Sequence, residues 1–173
     1  MSWNLVVAGR RNVDNHKYAH FLKIAHQLNA LGITPCLMGS LGMKLRTHQD
    51  WDPKDIDIHV PGDARGWDAP CEQIDRWYEI KDMMFELGYA LIDLHEHAFS
   101  KDDVHIEIGN ISTLKSFAGV NIKDLPMVTE EASTFYLPNE KQFLLIYQAS
   151  LKDSYRQDHN NHKDLAKITY LAS

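Results

Sequence analysis

The chain has 173 residues, of which 24% are charged, and its formal net charge is −6. This length suffices for one domain with its own apolar core, alone or followed by a helical appendage. Proteins that wrap DNA or RNA carry a basic excess, so the acidic balance argues against long nucleic acid as a partner.

Hydropathy and cysteine content predict a cytoplasmic protein that does not enter a membrane. The longest apolar run, at 143–147, is far too short to cross a bilayer, and no basic segment followed by an apolar one opens the chain. Cys36 and Cys71 form no metal-binding spacing and are interpreted as reduced thiols.

An amphipathic helix is the first long element that the sequence predicts. Asp14 or Asn15 is a suitable N-cap, and Gly32 ends the helix after about residue 31, where a left-handed conformation is wanted. Its apolar positions at helical spacing are Tyr18, Leu22, Ala25 and Leu28. The short apolar run at 5–8 fits either an edge strand or a loosely packed arm.

A buried strand and a sharp turn follow at 36–40. The strand, at 36–38, ends in Gly39-Ser40, and the chain then turns into a short helix at 41–45. Gly39 removes a side chain where a phosphate could approach. Ser40 offers a hydroxyl and a backbone N–H at a helix start, which favours an anion.

A second strand, at 55–58, alternates acidic and apolar residues. Asp55 and Asp57 therefore share one face, about 7 Å apart along the strand. Two carboxylates so placed suit Mg²⁺, which takes oxygen ligands and is often held jointly by carboxylates and substrate phosphates. A tight turn followed by a solvent-facing acidic strand is the structural alternative.

A loop at 61–70 and a second amphipathic helix come next. The helix is predicted from about residue 71 until Gly88, which is suited to end it. The positions that repeat at three- and four-residue steps are Ile74, Trp77, either Ile80 or Lys81, Met84 and Leu87.

A β-hairpin is predicted after this helix. Its strands lie at 89–97 and 103–108, with the turn at 99–102. Glu107 lies on the polar face of the second strand because side chains alternate there. The segment 109–134 reads as irregular, either a lid or a peripheral excursion.

A capping box marks the start of the C-terminal helices. Asn139 is a good N-cap, and Gln142 completes the reciprocal pattern three residues later. This helix is predicted to reach about residue 155, with Leu144, Tyr147, Leu151 and Tyr155 facing inward. A last helix covers about 161–171, with Leu165, Ile168 and Leu171 inward. We therefore expect a domain at 1–136 and a helical segment packed on it at 137–173.

The string Met38-Gly39-Ser40, a spacer and Asp55-Ile56-Asp57-Ile58 resembles the signature of the nucleotidyltransferase superfamily. That group includes DNA polymerase beta, the aminoglycoside nucleotidyltransferases and small bacterial toxin–antitoxin transferases. Glu107 matches the family's third carboxylate, although Asp is commoner there, and Lys163-Asp164 matches a pair that opens its last helix. The resemblance implies an α+β (mixed α/β) fold, with a small mixed β-sheet flanked by helices and a C-terminal helical segment.

The resemblance also implies transfer of a nucleoside monophosphate from an NTP to the hydroxyl of an unidentified acceptor. Asp55, Asp57 and Glu107 would be catalytic and would hold Mg²⁺ or Mn²⁺, with Glu107 also taking the hydroxyl proton. The nucleotide would be bound by Gly39, Ser40, Lys44 and Lys163. Lys44 is equally compatible with the solvated face of a short helix.

Two other hypotheses stay open. The same scaffold could be a non-catalytic nucleotide- or partner-binding module of the antitoxin type, and a partner protein or a homodimer is compatible with either function. Alternatively, His95, His97 and His105 could converge across the hairpin and hold a catalytic zinc, for which three histidines are a suitable number of ligands.

Overall fold

A computed structural model of the chain describes residues 15–66, 73–152 and 154–173. The apolar run at 5–8, the N-cap candidate Asp14 and Cys71 lie outside these residues. The described part contains six α-helices and seven strands, joined by loops and by short 3₁₀ turns at Ile111–Thr113 and Ile122–Asp124. In chain order they are α1 (Asn15–Ala30), β1 (Cys36–Met38), α2 (Gly39–Thr47), β2 (Ile56–Val60), α3 (Trp77–Glu86), β3 (Ala90–Asp93), β4 (Ala98–Lys101), β5 (Val104–Asn110), α4 (Leu114–Ala118), β6 (Met127–Glu130), β7 (Ser133–Tyr136), α5 (Glu140–Lys152) and α6 (Ser154–Ala172).

The strands form one mixed sheet in the order β3-β4-β5-β2-β1-β7-β6. The pairs β2–β5 and β1–β7 are parallel, and the other neighbouring strands are antiparallel. Helices pack on this sheet, so the predicted fold class is confirmed. Among the helices described, none combines the length and the apolar character that crossing a bilayer requires.

The main core lies on one face of the sheet. Leu37, Ile58 and Ile106 come from its three central strands and are fully buried. Helix α1 covers them with the face that the sequence predicts, and Gly32 follows it with φ 80, the left-handed conformation expected there.

A smaller apolar cluster covers part of the opposite face. Cys36 and Met38 point there because side chains alternate along β1. They pack against Ile111 and Leu114, in and after the first 3₁₀ turn, and against Ile146 of α5. The cluster covers this face of the sheet around β1. Burial of Cys36 in the cluster raises the pKa of its thiol.

The second predicted helix starts later than expected, at Trp77. Ile74 is buried as predicted, but it forms an isolated β-bridge with Gly62. Arg76 then has φ 57, which a helix interior cannot contain, so α3 begins only after it. Gly88 follows the helix with φ 94, as its predicted role requires.

The predicted hairpin turn at 99–102 is wrong, because Ala98–Lys101 is the strand β4. Phe99 is fully buried and pairs with Ile106, so this segment belongs to the sheet. The turns on either side use His97 at φ 51 and Asp102 at φ 54. Neither is glycine, and the usual sequence signal of a turn is therefore missing.

The segment 109–134 is more regular than predicted. It contains α4, both 3₁₀ turns and the strand β6, which pairs with β7. The turn between these strands places Glu131 at φ 49 and Ala132 at φ 60. Two successive left-handed residues usually are glycine or asparagine, so the usual sequence signal for this hairpin is missing.

The capping box at the start of α5 is confirmed. Gln142 N donates to Asn139 Oδ1 at 2.8 Å, and Asn139 N donates to Gln142 Oε1 at 2.9 Å. The buried residues of α5 are Phe143, Ile146, Tyr147 and Ser150, whereas Leu144 and Leu151 are only half-buried. The helix ends at Lys152, and the side chain of Tyr155 lies outside the described part.

The last helix is longer than predicted and turns a different face inward. It begins at Ser154, and Leu165 is 43% exposed, so that part of the prediction is wrong. Ile168 and Leu171 do pack on the main core. The most buried side chains of the described part of α6 are instead two charged ones, Asp164 at 1% and Lys167 at 5% exposure.

Candidate active site

Gly39 and Asp57 are in close contact where β1 ends and α2 begins. Helix α2 starts on Gly39 itself, which has φ 66. A Cβ atom at this position would lie 2.2 Å from Asp57 Oδ2. Only glycine meets both requirements, because a side chain would be strained by the left-handed backbone and would displace the carboxylate.

Asp57 lies in the middle of a row of three side chains across the sheet. It pairs with Met38 of β1 on one side and with Glu107 of β5 on the other. Paired residues on neighbouring strands point to the same face, and their Cα atoms are about 5 Å apart. Asp57 is half-buried and Glu107 is exposed, so two of the three predicted carboxylates are brought together at an accessible place.

The third predicted carboxylate, Asp55, lies one residue before β2 and is exposed. It is therefore in a bend rather than in the strand that the sequence predicts. Across the described ranges, no three His, Cys, Asp or Glu side chains are gathered closely enough to form a metal group. The structure thus supplies Asp57 and Glu107 as a pair, with Asp55 two residues upstream.

The three histidines of the zinc hypothesis lie apart from any such group in the described residues. His95 and His97 lie in the turn before β4, where His97 packs edge-on against Trp77 at 4.6 Å between ring centroids. His105 is exposed on β5. These positions give the zinc hypothesis no support from geometry.

Lys44 and Lys163, the two predicted nucleotide-binding lysines, differ in their surroundings. Lys44 Nζ lies 3.6 Å from Asp50 Oδ1, next to the loop after α2. A hydrogen bond from the backbone of Asp52 and the nearby Lys44 ammonium lower the pKa of Asp50. Lys163 is exposed on α6.

Lys167 is the lysine that reaches the Gly39-Ser40 turn. Its Nζ donates a hydrogen bond to Ser40 Oγ at 2.9 Å. The same ammonium lies 4.6 Å from the ring centroid of Tyr147, a cation–π distance. Helix α6 therefore brings a buried positive charge to the first turn of α2.

His59 occupies the next row of the sheet, two residues after Asp57. It pairs with Cys36 of β1 and with Gly109 of β5. A Cβ atom at Gly109 would lie 2.6 Å from His59 Nε2, so the missing side chain makes room for the imidazole. Burial lowers the pKa of His59 to about 4, and its buried Nδ1 has no hydrogen-bond partner among the described residues.

A cavity of about 580 Å³ opens on the same face, beside these residues. Its floor includes Asp57, His59 and Glu107. The walls come from three segments that are distant in sequence: 65–66 with 73–74, 95–97, and 110–117. The acidic pair therefore lies at the border between this cavity and the start of α2.

Comparison with known proteins places the chain in a family. No protein-family model matches it. It is 37% identical over 155 residues to "Uncharacterized protein YnaI" of Bacillus subtilis (strain 168), which covers 89% of this chain and 94% of YnaI. The chain belongs to the YnaI family.

The fold of this YnaI-family chain is similar to a solved structure. A crystal structure of an antigenic nucleotidyltransferase-like protein from Paracoccidioides brasiliensis matches it with a TM-score of 0.53. The match covers 86% of this chain and 71% of that protein, at 14% sequence identity. At this identity the likeness shows the fold alone, and the fold is nucleotidyltransferase-like.

Two residues of the YnaI-family site escaped the sequence analysis. Lys167 lies three positions after Asp164 on the buried face of α6, a spacing that could have marked it as part of a polar pair facing inward. His59 follows Asp57 at strand spacing and so shares its face, which the alternation along β2 could have indicated.

Proposed function

We propose that this YnaI-family protein is a metal-dependent nucleotidyltransferase, which moves a nucleoside monophosphate group from an NTP to an acceptor hydroxyl. The observation that carries the proposal is the position of Asp57. It is in register with Glu107 and in contact with Gly39 at the first turn of α2. Acidic oxygens and the glycine at a helix start therefore lie next to each other.

The phosphates of the NTP would bind at the start of α2. The backbone N–H groups of the first helical turn have no partners within the helix and favour an anion. Ser40 adds a hydroxyl group. Lys167 adds a positive charge beside it, because its Nζ donates a hydrogen bond to Ser40 Oγ at 2.9 Å. We add Lys167 to the predicted phosphate ligands Gly39, Ser40, Lys44 and Lys163.

Asp57 and Glu107 suit Mg²⁺ or Mn²⁺, because they are paired on neighbouring strands and both offer carboxylate oxygens on one face of the sheet. Asp55 is the third proposed ligand, since it lies two residues before Asp57. When bound, the ions would neutralise the charge that develops on the transferred phosphoryl group.

Glu107 is the proposed proton acceptor. It is exposed on the cavity side of Asp57, where a hydroxyl can approach it. Its carboxylate would take the hydroxyl proton while the acceptor oxygen bonds to the α-phosphorus and pyrophosphate leaves.

Nucleotide binding can be tested by thermal unfolding with each NTP, with and without Mg²⁺. We expect a metal-dependent rise in Tm that Asp57→Asn abolishes. Asp82→Asn is the matched control, because Asp82 is exposed on α3, outside the site. No rise in the wild-type protein with any NTP and metal would reject the proposal.

A non-catalytic nucleotide- or partner-binding module of the antitoxin type is the second candidate. The observation in its favour is Asp55, which lies outside the strand and is exposed, so the described residues hold a carboxylate pair rather than a gathered trio. This function predicts an NTP-dependent rise in Tm without release of pyrophosphate from any bound NTP.

A further inference from the structure

In the sheet, β1 and the start of α2 lie on one side of Asp57, and Glu107 of β5 lies on the other. Among the described residues, the cavity lining includes Asp57 and Glu107 but neither Ser40 nor Lys167. In an in-line displacement, the attacking and leaving oxygens lie on opposite sides of the phosphorus atom. With the phosphates bound near Ser40, the attacking hydroxyl would therefore come from the cavity.

We propose that the cavity binds the acceptor, and that the acceptor is a small hydroxyl compound without phosphate or carboxylate groups. The inference rests on the nucleotidyltransferase function proposed above. The acceptor oxygen forms a bond to the α-phosphorus while the bond from that phosphorus to pyrophosphate breaks. The hydroxyl proton passes to Glu107, so atoms and charges balance.

The size of the cavity fits a small molecule. Its volume of about 580 Å³ lies within the range of roughly 300–1,000 Å³ that is usual for small-molecule sites. Three separate segments wall it in, whereas a site for single-stranded nucleic acid is a basic groove along which the backbone runs. The formal net charge of −6 agrees with this distinction.

The charges of the lining disfavour an anionic acceptor. Asp57 and Glu107 would be offset by the bound metal, so Glu96 is the carboxylate of the lining that keeps its charge. Arg65 is the one lysine or arginine among the described lining residues. Arg65 is bound to Asp63 through two hydrogen bonds, at 3.1 Å from Nε and 2.7 Å from Nη2. These bonds hold the pKa of Asp63 at about 2, so a carboxylate offsets this arginine.

The remaining surface of the cavity suits hydroxyl groups and apolar carbon faces. His59 lines the cavity, and its imidazole offers ring nitrogens that can hydrogen-bond a hydroxyl group. Phe117 lines the cavity and is 44% exposed, which leaves an aromatic face for C–H groups of a ligand.

Saturation-transfer NMR on the full chain tests this inference with matched pairs of compounds. The pairs are glycerol and glycerol 3-phosphate, glucose and glucose 6-phosphate, and ethanolamine and phosphoethanolamine, with a short oligoribonucleotide as a further probe. The protein is first loaded with Mg²⁺ and an NTP analogue that carries a methylene bridge between its α- and β-phosphorus atoms. We expect saturation of the unphosphorylated members, at least about threefold stronger than that of their phosphorylated partners.

Two variants relate the signals to the cavity. Ser116 is exposed and lines the cavity, so Ser116→Trp should fill it and abolish the signals without unfolding the protein. Glu96→Lys should reduce the preference for unphosphorylated compounds. Glu86→Lys is its control, because Glu86 is exposed on α3 and is not part of the lining, and it should preserve the preference.

The possible results separate this inference from the function on which it rests. Equal or stronger signals from the phosphorylated compounds or the oligoribonucleotide would overturn the inference. So would signals that survive Ser116→Trp, or no signal from any pair on a protein that binds the NTP analogue. Failure to bind the analogue itself, measured in the same samples, would instead reject the proposed nucleotidyltransferase.

Discussion

Lys167 and Ser40 are joined by a hydrogen bond although 127 positions separate them in the sequence. The lysine belongs to the last helix and the serine to the first turn of α2. The ammonium is almost fully buried and also lies over the ring of Tyr147. The phosphates of an NTP bound at the start of α2 would gain a charge-assisted hydrogen bond from this ammonium, which is stronger than a bond between neutral groups.

Replacing Lys167 should weaken NTP binding without removing the fold. Lys167→Met keeps an unbranched apolar side chain but loses the charge, and a hydrogen bond to a charged group contributes about 1.5–3 kcal/mol. We therefore expect the Kd for Mg²⁺–NTP, measured by calorimetry, to rise about tenfold or more. Lys141→Met is the control, since Lys141 is exposed on α5 and is not among the proposed phosphate ligands, and equal effects of the two variants would contradict the assignment.

Gly39→Ala should both destabilise the protein and abolish its response to Mg²⁺–NTP. The new Cβ atom would lie 2.2 Å from Asp57 Oδ2, and the alanine backbone would have to keep the left-handed φ of 66. Strain of this kind costs about 1–3 kcal/mol, and the displaced carboxylate would no longer face Glu107 as before. Urea unfolding with and without ligand measures both effects.

Gly119→Ala is the matched control for that variant. Gly119 has φ 73, but nothing lies within 4 Å of a Cβ atom built there. It should therefore show the cost of the left-handed backbone alone and keep the ligand response. If Gly39→Ala retained that response too, the contact with Asp57 would not be needed for nucleotide binding.

Stability should fall as the pH is lowered from about 6.5 to about 4, partly because of His59. The pKa of His59 is lowered from its ordinary value of 6.5 to about 4 by burial. In this pH window His59 is protonated in the unfolded chain but not in the folded chain. The free energy of unfolding therefore falls by up to about 3 kcal/mol as the pH is lowered. Urea unfolding across the window should show a shallower fall for His59→Gln. His105→Gln, with its exposed side chain on β5, should follow the wild type, and parallel curves for all three proteins would refute the explanation.

Local signals in the sequence were enough to predict the elements that carry Gly39 and Asp57. Gly39 and Asp57 belong to a strand–turn–helix and a strand whose alternation and turn chemistry are set by neighbouring residues. The structure brings Gly39 and Asp57 into contact, which no sequence pattern predicted. Alternation also assigned Glu107 to the polar face of β5, whereas its register with Asp57 is set by the pairing of the two strands.

The missed features depend on contacts between distant segments or on unusual backbone. His97 and Asp102 make tight turns with positive φ but without glycine, so β4 was mistaken for a turn. Lys167 was not predicted as a site residue, because its burial depends on Ser40 and Tyr147 rather than on its neighbours in α6. The cavity has walls from three distant segments, and no local pattern encodes it.

The capping box at the start of α5 should contribute measurably to stability. Asn139→Ala leaves the N–H of Gln142 without its 2.8 Å acceptor, and loss of an N-cap side chain costs about 1 kcal/mol. Gln142→Ala removes the reciprocal bond and also the 2.9 Å hydrogen bond from Gln142 Nε2 to the carbonyl of Asp124. Because the two side chains support one another, the double variant should lose less free energy of unfolding than the sum of the single losses. Gln148→Ala, at an exposed position of the same helix, is the control in urea unfolding, and simple additivity of the two cap variants would show that the bonds act independently.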